Sequence, residues 1–368
     1  MNGNHRMRIR LFGIYNQTGI GTHALNIYNC LVQYKLKNIE IQKFSHFNES
    51  EVNAAIADSV DTDVNLHFYP SEYAPMLKGK NIYWSVFEST RPIPGYEQWD
   101  KTFDLILSPS EWGRQCMINY GIAPEKTAVV PEGIDPVKFH PFRTSPPPKI
   151  PRFLMIGKYE NRKSYPEAFE AFHLAHQQNP NFEIWIKADW INGVQSVQHP
   201  EFLELCAKYS HLPITVVQGI ASDEQMLELY HSATHFVFPS KCEGWGLPLL
   251  EAIACGLKVI ATDFGGQSEF LKGIDFYKSI PYAVQAINCT QWKNTYPHPN
   301  NDFGNWAFLK PIDLANLIIF SLKNFHLSPL LGNALFVREK FSWRNSSEKL
   351  LKILLEQTAI SIHDHGSR

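Results

Sequence analysis

The sequence predicts an α/β protein made of two Rossmann-like domains facing each other across a cleft. Three observations lead there. Short apolar runs alternate with longer amphipathic stretches, the pattern of a parallel sheet covered by helices. Four prolines fall within residues 146–151, where neither a helix nor a central strand can continue. Beyond them the alternation starts again, and 368 residues exceed one typical domain.

The elements follow in order. Residues 7–14 read as the first strand and 20–34 as the helix after it; 63–68, 81–87, 103–108 and 127–130 read as further strands. These make a first domain of residues 1–145, with a stiff linker at 142–151. In a second domain, 150–340, strands are expected at 152–157, 183–187, 214–217, 234–239 and 259–262, and a helix at 165–178. Ser222 reads as a helix cap, with Gln225 as its capping-box partner. The turn-rich stretch 274–299 receives no assignment, and 314–324 and 346–357 read as helices. Ligands of open parallel sheets bind beyond the carboxyl ends of the strands, so the loops there are expected to carry the chemistry.

Composition narrows the function. Hydrophobic residues make up 44% of the chain and aromatic residues 13%, as in a folded globular protein. A formal charge of −2 gives no support to a nucleic-acid partner. No apolar run reaches the roughly 18 residues of a spanning helix, and the first residues lack a signal peptide's apolar core. The six cysteines form no CxxC pair, so reduced thiols and a cytoplasmic location are expected. Lys35, Lys37 and Lys43 leave a peripheral membrane patch open beside the plainer reading of a solvated face.

The most informative segment is Glu243-Gly-Trp-Gly-Leu-Pro-Leu-Leu-Glu251, closed by Gly256. An apolar strand precedes it, Pro248 suits a first helical turn, and Gly256 suits the position past a helix end. Backbone N–H groups around Gly244 to Gly246 would face a ligand before the helix, where the dipole favours an anion. Glu243 and Glu251 could both accept hydrogen bonds from its hydroxyls. An anion binder with hydroxyl acceptors describes a sugar-nucleotide site. A second loop, Gly157-Lys158-Tyr-Glu-Asn-Arg162-Lys163-Ser164, sets three cations at a strand's carboxyl end, where a departing diphosphate needs positive charge.

These residues, with Lys258-Val-Ile-Ala-Thr-Asp-Phe-Gly-Gly266 and Glu269, resemble the signature of the family 4 retaining glycosyltransferases, also described as glycosyl transferases group 1. The resemblance implies the GT-B fold, with a final helix (about 344–360) returning to the first domain. It implies transfer of a hexosyl group from a UDP- or GDP-linked sugar to an acceptor hydroxyl, with no metal or other cofactor. The acceptor would be a glycan, a lipid-linked sugar or a small molecule. Lys158 stands at the family's arginine position, Lys163 at its lysine position, and Ser164 replaces a glycine. Lys158, Lys163 and Glu243 are thereby the expected catalytic residues. Gly244, Trp245, Gly246, Leu247, Glu251 and Gly219 would hold the donor, with Gly19 and Gly21 closing on the diphosphate from the first domain. Glu88, in Phe87-Glu88-Ser-Thr90, and His67 would touch the acceptor, against the plainer readings of a capping carboxylate and a satisfied core histidine. Asp61-Thr-Asp63 reads as a turn rather than a metal site, and His363 and His365 lack further ligands. An epimerase on the same fold and a non-catalytic sugar-nucleotide binder remain rivals. A dehydrogenase does not, because no third glycine stands at Ala24.

Overall fold

The structure is a computed structural model. It describes residues 7–16, 19–35, 39–68, 74–143, 146–191, 194–195, 198–218, 222–275, 277–298, 300–325 and 328–357. Two compact units divide the chain. The first takes the described residues of Met1–Phe87, Pro92–Gly133 and Phe341–Arg368; the second takes Glu88–Arg91 and Ile134–Lys340. The chain leaves the first unit at Gly133, ahead of the proline-rich segment.

The first unit runs β1 (Met7–Gly13), α1 (Gly19–Gln33), β2 (Ile39–Ser45), α2 (Glu49–Ala57), β3 (Val64–Phe68), β4 (Lys80–Trp84), α3 (Trp99–Thr102), β5 (Leu105–Ser108), α4 (Glu111–Asn119) and β6 (Thr127–Val129). Its sheet is parallel, in the order β2-β1-β3-β4-β5-β6. All five residues of β3 are buried, because helices cover both faces of such a sheet. The turn read at Asp61–Asp63 is present, and its carboxylate is fully engaged. Asp63 accepts from Arg8 through both oxygens at 2.9 Å and from the Val60 N–H at 3.0 Å.

The second unit runs β7 (Arg152–Lys158), α5 (Tyr165–Gln178), β8 (Glu183–Ile191), β9 (Val194–Gln195), α6 (Pro200–Lys208), β10 (Ile214–Val217), α7 (Asp223–His231), β11 (His235–Phe238), α8 (Leu247–Ala254), β12 (Lys258–Ala261), α9 (Ser268–Leu271), β13 (Lys278–Ser279), β14 (Tyr282–Ala286), α10 (Thr290–Thr295), β15 (Asn305–Leu309), α11 (Pro311–Lys323) and α12 (Leu331–Lys340). The main sheet is ordered β10-β8-β7-β11-β12-β13 with these six strands parallel, and β9 pairs antiparallel with the end of β8. Tyr165, Ala168, Phe169, Phe172 and Ala175 bury one stripe of α5, which packs beside α11 over Phe153, Ile184 and Ile186. Each buried phenylalanine there contributes about 1.5–3 kcal/mol. The capping box of α7 is formed on both sides, Gln225 N to Ser222 Oγ at 3.2 Å and Ser222 N to Gln225 Oε1 at 3.1 Å. The unassigned stretch 274–299 holds β13, β14 and α10, and β14 pairs antiparallel with β15.

Both sheets change winding direction once. In the first unit the chain goes from β1 to β2 on one side and β3 on the other. In the second it goes from β7 out to β8 and β10, then returns to β11 on the far side of β7. Such switch points open a crevice at the carboxyl ends of the two strands involved.

The last helix, α13 (Trp343–Glu356), belongs to the first unit and packs on α1. Tyr34 donates to the Arg344 carbonyl at 3.2 Å. Beneath this contact His23 and Glu132 lie 3.4 Å apart, both buried, with the His23 ring edge-on to Trp84 and stacked on Trp343. Burial lifts the Glu132 carboxyl to about 8 and lowers His23 to about 3, so the pair is neutral at pH 7. Among the described residues no helix is long and apolar enough to cross a membrane. All six cysteines are free thiols.

The pair fixes a pH dependence. Glu132, ordinarily near 4.5, binds its proton more tightly in the folded state, so its contribution to stability falls as pH rises from about 4.5 to about 8. His23, ordinarily near 6.5, binds its proton less tightly when folded, so its contribution falls as pH drops from about 6.5 to about 3. Between 4.5 and 6.5 the two slopes oppose each other; above 6.5 only the Glu132 loss remains. Glu132→Gln should remove that loss and melt higher than wild type at pH 8 but not at pH 5.5. Melting curves that decline equally from pH 6.5 to 8 in both proteins would refute the assignment.

Candidate active site

The crevice at the β7/β11 switch point gathers the predicted loops of the second unit. β7 ends at Lys158, and a short turn, Asn161–Lys163, leads into α5. β11 ends at Phe238 and is followed by Ser240 to Gly246 and the N-terminus of α8. β12 then delivers the 262–268 loop against this segment. Glu243 forms a parallel bridge with Gly265, and Gly266 N–H donates to the Glu243 carbonyl at 2.8 Å. The approach requires a glycine: a Cβ on Gly266 would lie 1.8 Å from the Gly244 oxygen.

Glu243 is 5% exposed and sits at the centre of an ion cluster. Its Oε1 lies 2.6 Å from Lys163 Nζ and 2.7 Å from an Arg162 terminal nitrogen. Arg162, equally buried, reaches Glu88 at 2.8 Å and Glu160 at 3.0 Å, and donates to the Cys242 carbonyl at 3.1 Å. Lys241 closes the rim, bonded to Glu167 at 2.8 Å and to the Asn161 carbonyl at 2.9 Å. Burial alone would favour a neutral Glu243, but Arg162 and Lys163 outweigh it and hold the carboxyl below its usual value. Glu88 goes the other way. Burial raises it; Arg162 opposes, but the Glu243 and Glu160 charges add to the rise, and it reaches about 7. The segment bearing Glu88 is tied to the β14–β15 hairpin. Trp306 Nε1 donates to the Glu88 carbonyl at 2.7 Å, Asn305 N to Thr90 Oγ1 at 2.8 Å, and Arg91 pairs with Asp302 at 2.6 Å.

The sequence-predicted residues fare differently. Lys163, Glu243 and Glu88 are brought together, with Arg162 as the common partner of the two carboxylates; Arg162, one of the three loop cations, was not among the residues expected to be catalytic. Lys163 is not a free cation, since it is bonded to Glu243. Lys158 ends β7, half-buried, with no ion pair among the described residues. Gly244, Gly246 and Leu247 form the entry to α8, where Pro248 has no N–H and Leu249 N–H donates to the Gly246 carbonyl at 3.0 Å. The Trp245 side chain is enclosed. It is 2% exposed and packs edge-on to Phe270, so the indole builds core rather than lining the crevice. Glu251 lies one turn into α8 and accepts from the Tyr230 hydroxyl at 2.7 Å. Gly219 lies outside the described residues.

The other predicted residues belong to the first unit. Gly19 and Gly21 open α1 after β1. Only Gly21 is required there, because a Cβ would fall 2.2 Å from Asn16 Oδ1, whereas Gly19 faces open space. His67 follows the plainer of its two readings. It is fully buried in β3, stacked on Phe12, with Nε2 3.2 Å from Asn81 Oδ1, and burial lowers it to about 3. It is a neutral core histidine, and no acceptor can reach it there.

Ser164 occupies the position where the family pattern has glycine, and its backbone is left-handed, φ 54°. Its buried hydroxyl has no partner among the described residues. Ser164→Gly should therefore stabilise the protein by about 1 kcal/mol in urea titration, the left-handed cost of an L-residue less glycine's added chain entropy. An unchanged or lower midpoint would contradict this. Arg162→Ala leaves Glu88, Glu160 and Glu243 without their guanidinium and should cost about 3–5 kcal/mol; a loss within the ±0.5 kcal/mol of ordinary surface changes would show that the cluster is not held by the guanidinium.

Comparison with known proteins agrees with this geometry. A family model described as glycosyl transferases group 1 matches residues 137–273, which include Lys158, Lys163, Gly219 and the Glu243–Glu251 segment. The serotype-specific mannosyltransferase WbdA of Escherichia coli is 30% identical over 171 residues, 44% of this chain and 20% of that protein. Mannosylfructose-phosphate synthase of Agrobacterium fabrum is 22% identical over 280 residues, 71% of this chain and 55% of that protein. The chain thus spans about a fifth of the length of the first of these relatives. Among solved structures, sucrose-phosphate synthase from Thermosynechococcus elongatus superposes with a TM-score of 0.70 at 15% identity, covering 97% of this chain and 100% of that one. Anabaena Alr3699/HepE in complex with UDP-glucose gives 0.68 at 14% identity, covering 95% and 99%. These likenesses establish the α/β fold of paired Rossmann-like units. Over residues 137–273 the chain matches the model of the glycosyl transferases group 1.

Proposed function

We propose that the chain is a retaining, metal-independent glycosyltransferase that moves a hexosyl group from a UDP- or GDP-linked donor to an acceptor hydroxyl. One observation carries the reading. A buried carboxylate, Glu243, is kept ionised by Lys163 and Arg162 at a switch point, directly before the N-terminus of α8. The names of the relatives support a hexosyl donor, since they include mannosyltransferases; a solved neighbour is a complex with UDP-glucose.

The chemistry then follows from the residues. The bond from the sugar's anomeric carbon to the diphosphate breaks as the bond to the acceptor oxygen forms on the same face. The acceptor's proton passes to the departing phosphate oxygen, so no protein base is needed. Charge growing on the diphosphate is met by Lys158, by Lys163 and by the N–H groups opening α8. Lys163 bridges the diphosphate and Glu243, which keeps its ammonium ordered before donor arrives. Glu243 accepts from the sugar hydroxyls, and Glu251, steadied by Tyr230, accepts from the ribose diol.

Incubation with UDP- and GDP-hexoses should release nucleotide in the presence of EDTA, and NMR of the product should show the donor's anomeric configuration. Lys163→Ala should lower turnover on the order of 100-fold, with a far smaller effect on melting. Glu251→Ala should weaken donor binding about tenfold. Wild-type turnover in Lys163→Ala would overturn the role given to the lysine. Donor binding without nucleotide release under any acceptor would favour the non-catalytic binder.

A further inference from the structure

One strand edge of the second unit is open. β14 pairs antiparallel with β15 and with no other strand among the described residues. The side to which each of its residues bonds follows from the register. Ile287 N donates to the Gly304 carbonyl at 3.0 Å, which puts a ladder bond between residues 287 and 304. Ladder bonds recur at every second residue, so Gln285 bonds with Trp306 and Ala283 with Phe308. Ala307 obeys the same alternation, its N–H turned away from β14 to the Lys241 carbonyl at 2.9 Å. The N–H and C=O groups of Tyr282, Val284 and Ala286 therefore point off the sheet, and they have no backbone partner among the described residues.

This edge lacks the devices that keep free strands apart. Residues 282–286, Tyr-Ala-Val-Gln-Ala, carry no charge, and Pro281 precedes the strand rather than interrupting it. All five residues are exposed. Tyr282 and Val284 are 36% and 51% exposed, although Leu309 and Ala307, which face them across the pair, are buried. An apolar overhang with an open ladder takes an extended strand. The chain's own β14 is such a strand. An antiparallel copy centred on Val284 brings all three outward residues into register: Tyr282 opposite Ala286 of the second copy, Val284 opposite Val284, and Ala286 opposite Tyr282. The large ring then faces a methyl group, no like charges meet, and both N–H···O bonds can form at each pair. Centring on Ala283 or Gln285 aligns only two of the three.

We propose that a second copy of this chain adds its β14 antiparallel to this edge, joining the two hairpins into one four-stranded sheet about a two-fold axis at Val284. One short strand per copy lies at the small end of specific interfaces, so the dimer exchanges with monomer.

Sedimentation equilibrium of the full chain should show a monomer–dimer equilibrium with a Kd of about 1–100 µM. Hydrogen exchange at single amides should slow with rising protein concentration at Tyr282, Val284 and Ala286. At Ala283 and Gln285, bonded within the hairpin, it should not depend on concentration. Val284→Lys and Val284→Glu should each remain monomeric, because each sets like charges across the axis, and an equimolar mixture of the two should dimerise again. The exchange measurement on unaltered protein stands even if a variant fails to fold. A wild-type chain monomeric at every concentration would leave the edge to a different partner and overturn the proposal. A dimer with the three outward amides unprotected, a dimer that persists in folded Val284→Lys, or a mixture of the two folded variants that stays monomeric would each overturn it as well. Nucleotide-sugar turnover is not a readout, so the outcome is independent of the reading of the active site.

Discussion

A guanidinium with almost no access to water decides the arrangement of the candidate site. Arg162 faces Glu243, Glu88 and Glu160 at 2.7–3.0 Å and bonds a backbone carbonyl of the segment that carries Glu243. Desolvating such a charge costs several kcal/mol, and only close carboxylates return it. The planar fork suits this, because separate N–H groups address separate oxygens; a lysine offers one point of charge. Arg162 therefore links the loop after β7, the loop after β11 and the 88–91 segment. Its neighbour Lys163 is committed to the same carboxylate.

That arrangement changes what the crevice can do. Three carboxylates and two cations leave an excess of negative charge when all are ionised. A diphosphate would add to that excess, so the cluster must shed charge or share its cations when an anion enters. Glu88 is the group able to adjust, because burial already places it near 7, within reach of cellular pH. Lys163, on a flexible stem, can turn between Glu243 and a ligand in a way that Arg162, held by four partners, cannot.

Much of this was legible in the residue order, for reasons that differ by element. Helix α5 and the capping box of α7 were read to the residue, since their signals are local: apolar spacing at three and four, and a side-chain hydroxyl three positions from its N–H. The Glu243–Glu251 unit was legible because glycine and proline leave few backbone choices there. Strand β2 was not, as all seven of its residues are half-buried or exposed and no apolar run marks this edge of the sheet. The β14–β15 hairpin was hidden likewise, every residue of β14 being exposed. Arg162 stands out in the sequence as one of three loop cations, but its burial against Glu88 and Glu243 is not visible there, because those carboxylates lie 74 and 81 positions away. At His67 and Trp245 the polar atoms are visible in the residue order, while the packing that encloses them appears only in three dimensions.

Ser164 shows how the two kinds of constraint meet. The turn after β7 must reverse sharply so that Arg162 and Lys163 both point to Glu243, and the backbone there goes left-handed. Glycine would adopt that conformation without cost, yet serine holds it, about 1–2 kcal/mol against the side chain. The strain is tolerable because residues on both sides are anchored. Lys163 bonds Glu243, and Tyr165 donates to the Gly157 carbonyl at 2.6 Å across the turn. Strain of this kind persists only where surroundings over-determine the conformation. The electrostatic cluster and the left-handed serine are thus one arrangement: the ion pairs hold the turn in its strained shape, and the shape keeps both cations on one carboxylate.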